Sequence, residues 1–390
     1  MADCYFDNAA STKPFEETVD AYATYMSQNY ANPSALHKKG MQAEGALRYA
    51  EGQLLRALGL KRGRAIFTSG ATEAANLAIG GVLERSESLV GKSAVTTAIE
   101  HPCVSEAIRH YQSKGADAAF VPVDRYGQVD RGAFLGAIGP TTAIVSFIWV
   151  NNEFGSVQDV AALAKAAKEK NPKALIHVDC VQGFGKLAAD FSFVDMMTVS
   201  SHKFHGPKGV GALICREGIS LAPLSYGGGQ QGGVRSGTVD APAIYAMGHA
   251  SETMDRTGYA ARLAQLGEFC YAALSGRFAP EYWNSHKNGF SSGYAPHIFS
   301  LSFPGLKGEV LVHMLEEEGI YVSTASACSS AKPGKASPLL SIGCDSNRVD
   351  GALRISLSAF NTEDEIEFMV SRIAHSVERL ARIMGKALAK

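Results

Sequence analysis

The sequence predicts an α/β protein with a mostly parallel sheet and a second, smaller α+β domain. Through the first two thirds of the chain, short apolar runs alternate with stretches of helical period, the pattern of strands and helices layered on one sheet. Past about residue 257 that alternation gives way to a mixed order of helices and strands. The length of 390 residues, 46% of them hydrophobic and 19% charged, suffices for two cores in an ordinary globular protein.

Taken in order, residues 41–57 read as an amphipathic helix and 65–67 as a strand, followed by a helix over 73–83 and a strand over 94–98. A helix is predicted over 101–114, a strand over 143–150, a helix over 160–168, then strands over 174–178 and 194–199. In such sheets ligands collect at the carboxyl ends of the strands. The later third reads as a helix over 260–275, a strand over 297–303, a helix over 309–318, a strand over 352–358 and a closing helix over 363–387. The first few residues are expected to join that smaller domain.

Composition removes several classes of function. With 37 basic and 38 acidic residues the net charge is −1, which gives no sign of a nucleic-acid or membrane partner. No apolar run reaches the roughly 18 residues of a membrane span, and the start of the chain lacks the basic and apolar regions of a signal peptide. The seven cysteines (4, 103, 180, 215, 270, 328 and 344) are scattered, odd in number and without a CxxC pair. That argues against a disulfide framework or a thiolate metal site and leads us to expect an intracellular, cytoplasmic protein.

The chemistry-bearing residues recur at strand ends. Lys203 stands in Ser200-Ser201-His202-Lys203-Phe204-His205-Gly206 just after one apolar run, and Asp179 ends the run before it. Pyridoxal phosphate (PLP) enzymes use such a pair: the lysine forms a Schiff base with the cofactor aldehyde and the carboxylate pairs with the pyridinium nitrogen. Thr68-Ser69-Gly70-Ala71-Thr72-Glu73 lies between a strand and a helix, where free backbone N–H groups and the helix dipole attract an anion; taken alone it also describes a well-capped helix. Gln182 and Asn152 are candidates to donate to the phenolic oxygen of the ring, although Asn151-Asn152 also fits a turn. His101 follows another strand, where a flat imidazole can stack on the ring.

Two further residues complete the set. Cys328 is surrounded by small residues, with Lys332 and Lys335 near in sequence, the setting of an exposed, partly ionised thiol; Cys344 also follows a loop and stays open as an alternative. Arg354 lies in an apolar run and needs an anion, either a substrate α-carboxylate or a structural partner.

Together these residues resemble the group I cysteine desulfurases of aminotransferase class V, which are fold type I PLP enzymes. The resemblance runs nearly end to end, through Tyr5-Phe6-Asp7-Asn8-Ala9-Ala10, Asn32-Pro33-Ser34, Ser69-Gly70-Ala71-Thr72-Glu73, Asn151-Asn152-Glu153 and His177-Val178-Asp179. It continues in Ser201-His202-Lys203, Arg235-Ser236-Gly237-Thr238, Ser326-Ala327-Cys328 and Arg354-Ile355-Ser356. It implies a large PLP-binding domain over residues 16–257 with a seven-stranded sheet. Residues 1–15 and 258–390 would form a small domain carrying Cys328 and Arg354. By the same resemblance Lys203 carries PLP, Asp179 binds its ring nitrogen, His101 stacks on the ring, and Asn152 and Gln182 hold the phenolic oxygen. Ala71, Thr72, Ser200 and His202 would hold the phosphate, with Thr238 reaching that of the partner in a homodimer. Asn32 and Arg354 would bind the carboxylate of L-cysteine, and Cys328 would accept its sulfur as a persulfide for an acceptor protein.

Cys328 precedes Arg354 by 26 residues, the long spacing of group I. Ala325 in place of the usual glycine, Gln231 at an often charged position, and Lys332-Pro333-Gly334-Lys335 depart from the family pattern. A selenocysteine lyase or another class V PLP enzyme is the alternative activity. His101 is the candidate proton shuttle, since an imidazole titrates near neutrality.

Overall fold

The computed structural model describes residues 3–85, 88–290, 293–324 and 337–386. The strands are β1 (Cys4–Tyr5), β2 (Arg64–Thr68), β3 (Ser93–Thr97), β4 (Asp117–Val121), β5 (Thr142–Ile148), β6 (Leu175–Asp179), β7 (Met196–Ser200), β8 (Gly211–Cys215), β9 (Ile298–Ser302), β10 (Ile320–Tyr321) and β11 (Ala352–Ser356). Seven of them form one sheet in the order β2-β8-β7-β6-β5-β3-β4. The neighbours from β7 to β4 are parallel, and β8 runs antiparallel between β7 and β2. β7 and β8 are buried along their whole length, as expected of strands covered on both faces.

That covering explains the helix Ala71–Leu83. Nine of its residues, from Ala74 to Leu83, are buried, so it carries little polar face. On the far edge, β2 has no further strand among the described residues; the amide of Gln231 lies there, accepting from the Phe67 N–H at 2.7 Å and donating to the Phe67 carbonyl at 2.9 Å. A side chain thereby satisfies backbone groups that an open edge leaves unpaired.

The opening residues pack with late ones. β1 pairs in parallel with β10, β9 pairs antiparallel with β11, and Asp7 bridges to Ser356. The long helix Glu363–Ile383 starts with a capping box between Thr362 and Glu365.

Several elements differ from the sequence reading. The strands predicted to reach residues 98, 150 and 358 stop at Thr97, Ile148 and Ser356, because their last apolar residues turn into the site loops. β4, β8 and the helices Glu16–Gln28, Arg131–Ala137 and Ala241–Arg256 were not foreseen. Ala241–Arg256 hides from a periodicity argument because its contact face is small. It packs on Lys38–Ala57 so closely that a Cβ on Gly248 would lie 2.6 Å from the Cα of Ala50. The closing helix, predicted to run to residue 387, stops at Ile383, with Met384 as its C-cap.

Candidate active site

β3, β5, β6 and β7 are adjacent and parallel, so the residues after them emerge along one edge. His101, Asn152, Asp179 and Lys203 follow those four strands. β2 runs in the same direction through the intervening β8 and delivers Ala71 and Thr72 to that edge.

The floor beneath the edge is a polar network inside the sheet. His177 in β6 contacts Ser146 Oγ of β5 through Nδ1 and Thr198 Oγ1 of β7 through Nε2, both at 2.8 Å. The imidazole thereby ties three strands together two residues before Asp179, and burial pushes its pKa down to about 3. Asp179 is 2% exposed and its Oδ1 accepts the Val181 N–H at 3.0 Å. Burial lifts its carboxyl to about 6, against the pull of that hydrogen bond and of Lys203. Glu100, beside His101, accepts from the Ile148 N–H at 2.9 Å and from the Thr97 hydroxyl through Oε1. Its Oε2 is buried without a partner among the described residues, and burial raises this carboxyl to about 8. Burial thus favours its neutral, protonated form.

Lys203 meets the start of the chain. Its amine donates to the carbonyls of Ala9 and Ala10, each at 2.7 Å. Thr12 fastens that segment to the lysine loop by donating to the His202 carbonyl at 2.9 Å and accepting the His205 N–H at 2.8 Å. Gln182 donates to the Ala9 carbonyl at 2.9 Å, leaving its Oε1 buried and unpartnered among the described residues. His202 contacts Ser11 Oγ at 3.3 Å, and burial, with Lys203 adding to it, depresses its pKa to about 4.

The helix start at Gly70 has no side-chain cap. Arg235 pairs with Glu73 at 2.8 Å, and Glu73 accepts the Ser69 N–H at 2.7 Å, which holds the loop while the first-turn N–H groups of Ala71 and Thr72 stay available. His101 caps its own helix by accepting the Cys103 N–H on Nδ1 at 3.1 Å. In the neutral imidazole the proton then sits on Nε2.

Arg354 is 5% exposed and already has a carboxylate: Nη2 donates to Asp7 Oδ1 at 2.7 Å, and Nη1 to the Asn152 carbonyl at 3.0 Å. The structural-partner alternative left open by the sequence is thus realised in this state. Asn152 stands next to Glu153, which is buried, raised to about 7 by that burial, and accepts from Ser337 Oγ at 3.0 Å. Asn151 fixes the turn, donating to the Ile99 carbonyl and accepting the Glu153 and Phe154 N–H groups.

Not every expected residue joins this group. Asn32 is exposed, with its Oδ1 accepting the Ser34 N–H. It shares a cavity of about 260 Å³ with Gln230, Gln231 and Thr238, and makes no contact with Arg354 among the described residues. Thr238 also lines a second cavity with Ser69 and Arg235 of its own chain. Cys328 lies outside the described residues. Cys103, Cys180, Cys215, Cys270 and Cys344 are free and buried; the thiol of the alternative Cys344 donates to Asn284 Oδ1 at 3.6 Å.

Sequence reasoning missed the roles of Asp7, the Ala9 and Ala10 carbonyls, Glu100 and Glu153. Each sits beside a residue that was singled out or inside a quoted motif, but their partners lie far away in sequence.

The groups on this edge fit PLP by chemistry: an uncapped helix start for a phosphate, a buried carboxylate for a ring nitrogen and a lysine, while the Gln182 N–H expected to donate to the phenolic oxygen is engaged by the Ala9 carbonyl in this state. Residues 4–369 match the family model Aminotransferase class-V. The chain belongs to that family. Its relatives include a protein named cysteine desulfurase IscS 1 from Archaeoglobus fulgidus, 35% identical over 96% of this chain and 97% of the relative. Among solved structures, a NifS-like protein superposes with a TM-score of 0.87 at 32% identity, covering 97% of this chain and all of that one. A structure described as SspA in complex with cysteine follows at a TM-score of 0.78 and 30% identity, covering 92% of this chain and 99% of its own. Within class V, the chain is thus a member of the cysteine desulfurase group. No helix among the described residues is long and apolar enough to cross a membrane.

Proposed function

We propose that this class V enzyme is a PLP-dependent cysteine desulfurase that converts L-cysteine to L-alanine and leaves the sulfur on Cys328. The reading rests above all on one observation: the buried Asp179 ends one strand and Lys203 follows the end of its neighbour, on the edge that also presents the uncapped helix start. Lys203 would hold PLP, Asp179 its ring nitrogen, Ala71, Thr72, Ser200 and His202 its phosphate, and Asn152 and Gln182 its phenolic oxygen, with His101 against the ring. Bound there, PLP supplies an electron sink that acidifies the Cα–H bond of the amino acid.

The chain's own groups do the rest. Arg354 and Asn32 hold the substrate carboxylate. Lys203, its amine released from the Ala9 and Ala10 carbonyls, takes the Cα proton. The Cys328 thiolate attacks the substrate sulfur: an S–S bond forms, the Cβ–S bond breaks, and its electron pair stays with carbon. His101 Nε2–H, poised by the Nδ1 contact to Cys103, gives the proton that completes the methyl group of alanine. The persulfide then passes to an acceptor, an iron–sulfur scaffold or a thiolation protein.

Met26, Tyr30, Leu36 and Met41 are 52%, 72%, 98% and 61% exposed. This apolar surface flanks Asn32 in sequence and supports a homodimer in which Asn32 and Thr238 serve the neighbouring site. Five free buried thiols, at Cys103, Cys180, Cys215, Cys270 and Cys344, agree with a reducing cytoplasm.

Absorbance of the purified protein before and after L-cysteine, with alanine and sulfide assayed together, tests the activity. A cofactor band that responds, with equal alanine and sulfide under reductant, is expected. A responsive band without either product would point to another class V reaction. Cys328→Ser should keep the band and lose the persulfide; full activity in that variant would shift the nucleophile to Cys344.

A further inference from the structure

The pairing of Arg354 bears on how an amino acid enters. A guanidinium offers a carboxylate a two-pronged edge, Nε–H beside Nη2–H. Here that edge is half used: Asp7 takes Nη2 at 2.7 Å, while Nε is buried with no partner among the described residues. The Asp7 side chain is 22% exposed against 6% for Arg354, so the carboxylate is the outer member of the pair. Glu153 adds a second acidic group near the same guanidinium. A substrate carboxylate cannot share that edge with Asp7 without strong repulsion.

We propose that Asp7 is a resident competitor for Arg354, occupying the guanidinium until the carboxylate of an amino-acid substrate displaces it and takes the Nε/Nη2 edge. The inference rests on the desulfurase reading. It makes Asp7 a specificity-determining residue: only a ligand that brings its own carboxylate compensates for breaking the pair. Asp7 also begins the turn whose Ala9 and Ala10 carbonyls hold the Lys203 amine, its own carbonyl accepting the Ala10 and Ser11 N–H groups. Displacement of Asp7 therefore acts on the segment that restrains the lysine.

The test uses holoenzyme titrated with L-alanine, which has the substrate's carboxylate and amine but no sulfur, and with ethylamine, which has the amine alone. Cofactor absorbance gives the dissociation constants. Asp7→Asn should bind L-alanine roughly three- to tenfold more tightly, the range of a partly buried ion pair, with ethylamine unchanged. Asp7→Glu should restore the weaker binding. Unchanged or weaker alanine affinity in a D7N protein of wild-type melting temperature would overturn the proposal, as would an equal shift for both ligands. Should D7N not fold, the wild-type crystal structure with L-alanine decides: an Asp7–Arg354 separation beyond hydrogen-bond range is expected, and a retained contact refutes displacement. A wild type that binds ethylamine but neither L-alanine nor L-cysteine would remove the desulfurase reading and this inference with it.

Discussion

His177 and Glu100 on the floor of the site have partners in neighbouring strands of one sheet and Asp179 is held by the amide two residues on, whereas Asp7, Arg354 and Glu153 on the rim pair across segments 184 to 347 residues apart. The floor groups are pushed far from their ordinary titration ranges because burial strips water from their charged forms, a cost that the hydrogen bonds to Glu100 and Asp179 only partly offset. The rim pair Asp7–Arg354 has its carboxylate partly open to solvent. A cofactor that stays needs a preformed floor. A substrate that comes and goes is better served by partners that can be exchanged. Lys203 belongs to both, set by the floor strands and restrained by rim carbonyls.

Perturbing the meeting point should have the largest effect. Lys203→Ala removes the amine at Cα, and alanine formation should fall by on the order of 10³-fold or more, read by product assay. Asp179→Asn keeps the shape and removes the charge at the ring nitrogen; a loss of on the order of 10² to 10³ is expected. If the variant were as active as wild type, the floor would not act electrostatically.

His177→Leu tests the floor as structure. It orphans the hydroxyls of Ser146 and Thr198, and urea unfolding should show a loss of about 2–3 kcal/mol. The pH dependence sharpens the same contrast. His177, at about 3 in the fold against an ordinary 6.5, contributes stability above pH 6.5 that is lost as pH falls toward 3. Glu100, at about 8 against 4.5, does the reverse: its contribution is complete below pH 4.5 and is lost as pH rises through 8. Urea midpoints of Glu100→Gln should therefore decline less than those of wild type between pH 4.5 and 8. The smallest effect is expected on the rim, where Ser337→Ala removes one donor to Glu153 and should cost about 1 kcal/mol. A larger cost there than at His177 would invert the comparison.

The legibility of the site follows the same division. Lys203, Asp179, His101 and Asn152 could be read in sequence because each follows an apolar run at the same edge, and strand ends are local signals. The seven-stranded sheet was expected from the resemblance, while β8 was obscured by the glycines before it and Ala241–Arg256 by its small contact residues. Asp7 was visible only as part of a motif, since nothing local announces a partner at Arg354. Glu100 and Glu153 looked like ordinary acids beside better candidates; only burial, a tertiary property, sets them apart.

β1 and Asp7 precede the seven-stranded sheet in the chain, yet their partners lie at Ile320, Tyr321, Arg354 and Ser356. During synthesis the edge bearing Asp179 and Lys203 has all its strands once residue 215 has emerged, long before Arg354 exists. The opening segment must meanwhile wait unclaimed, the kind of distant closure that slows folding. On the desulfurase reading proposed above, a nascent chain gathers its cofactor-facing groups before Arg354, and translation itself separates the two in time.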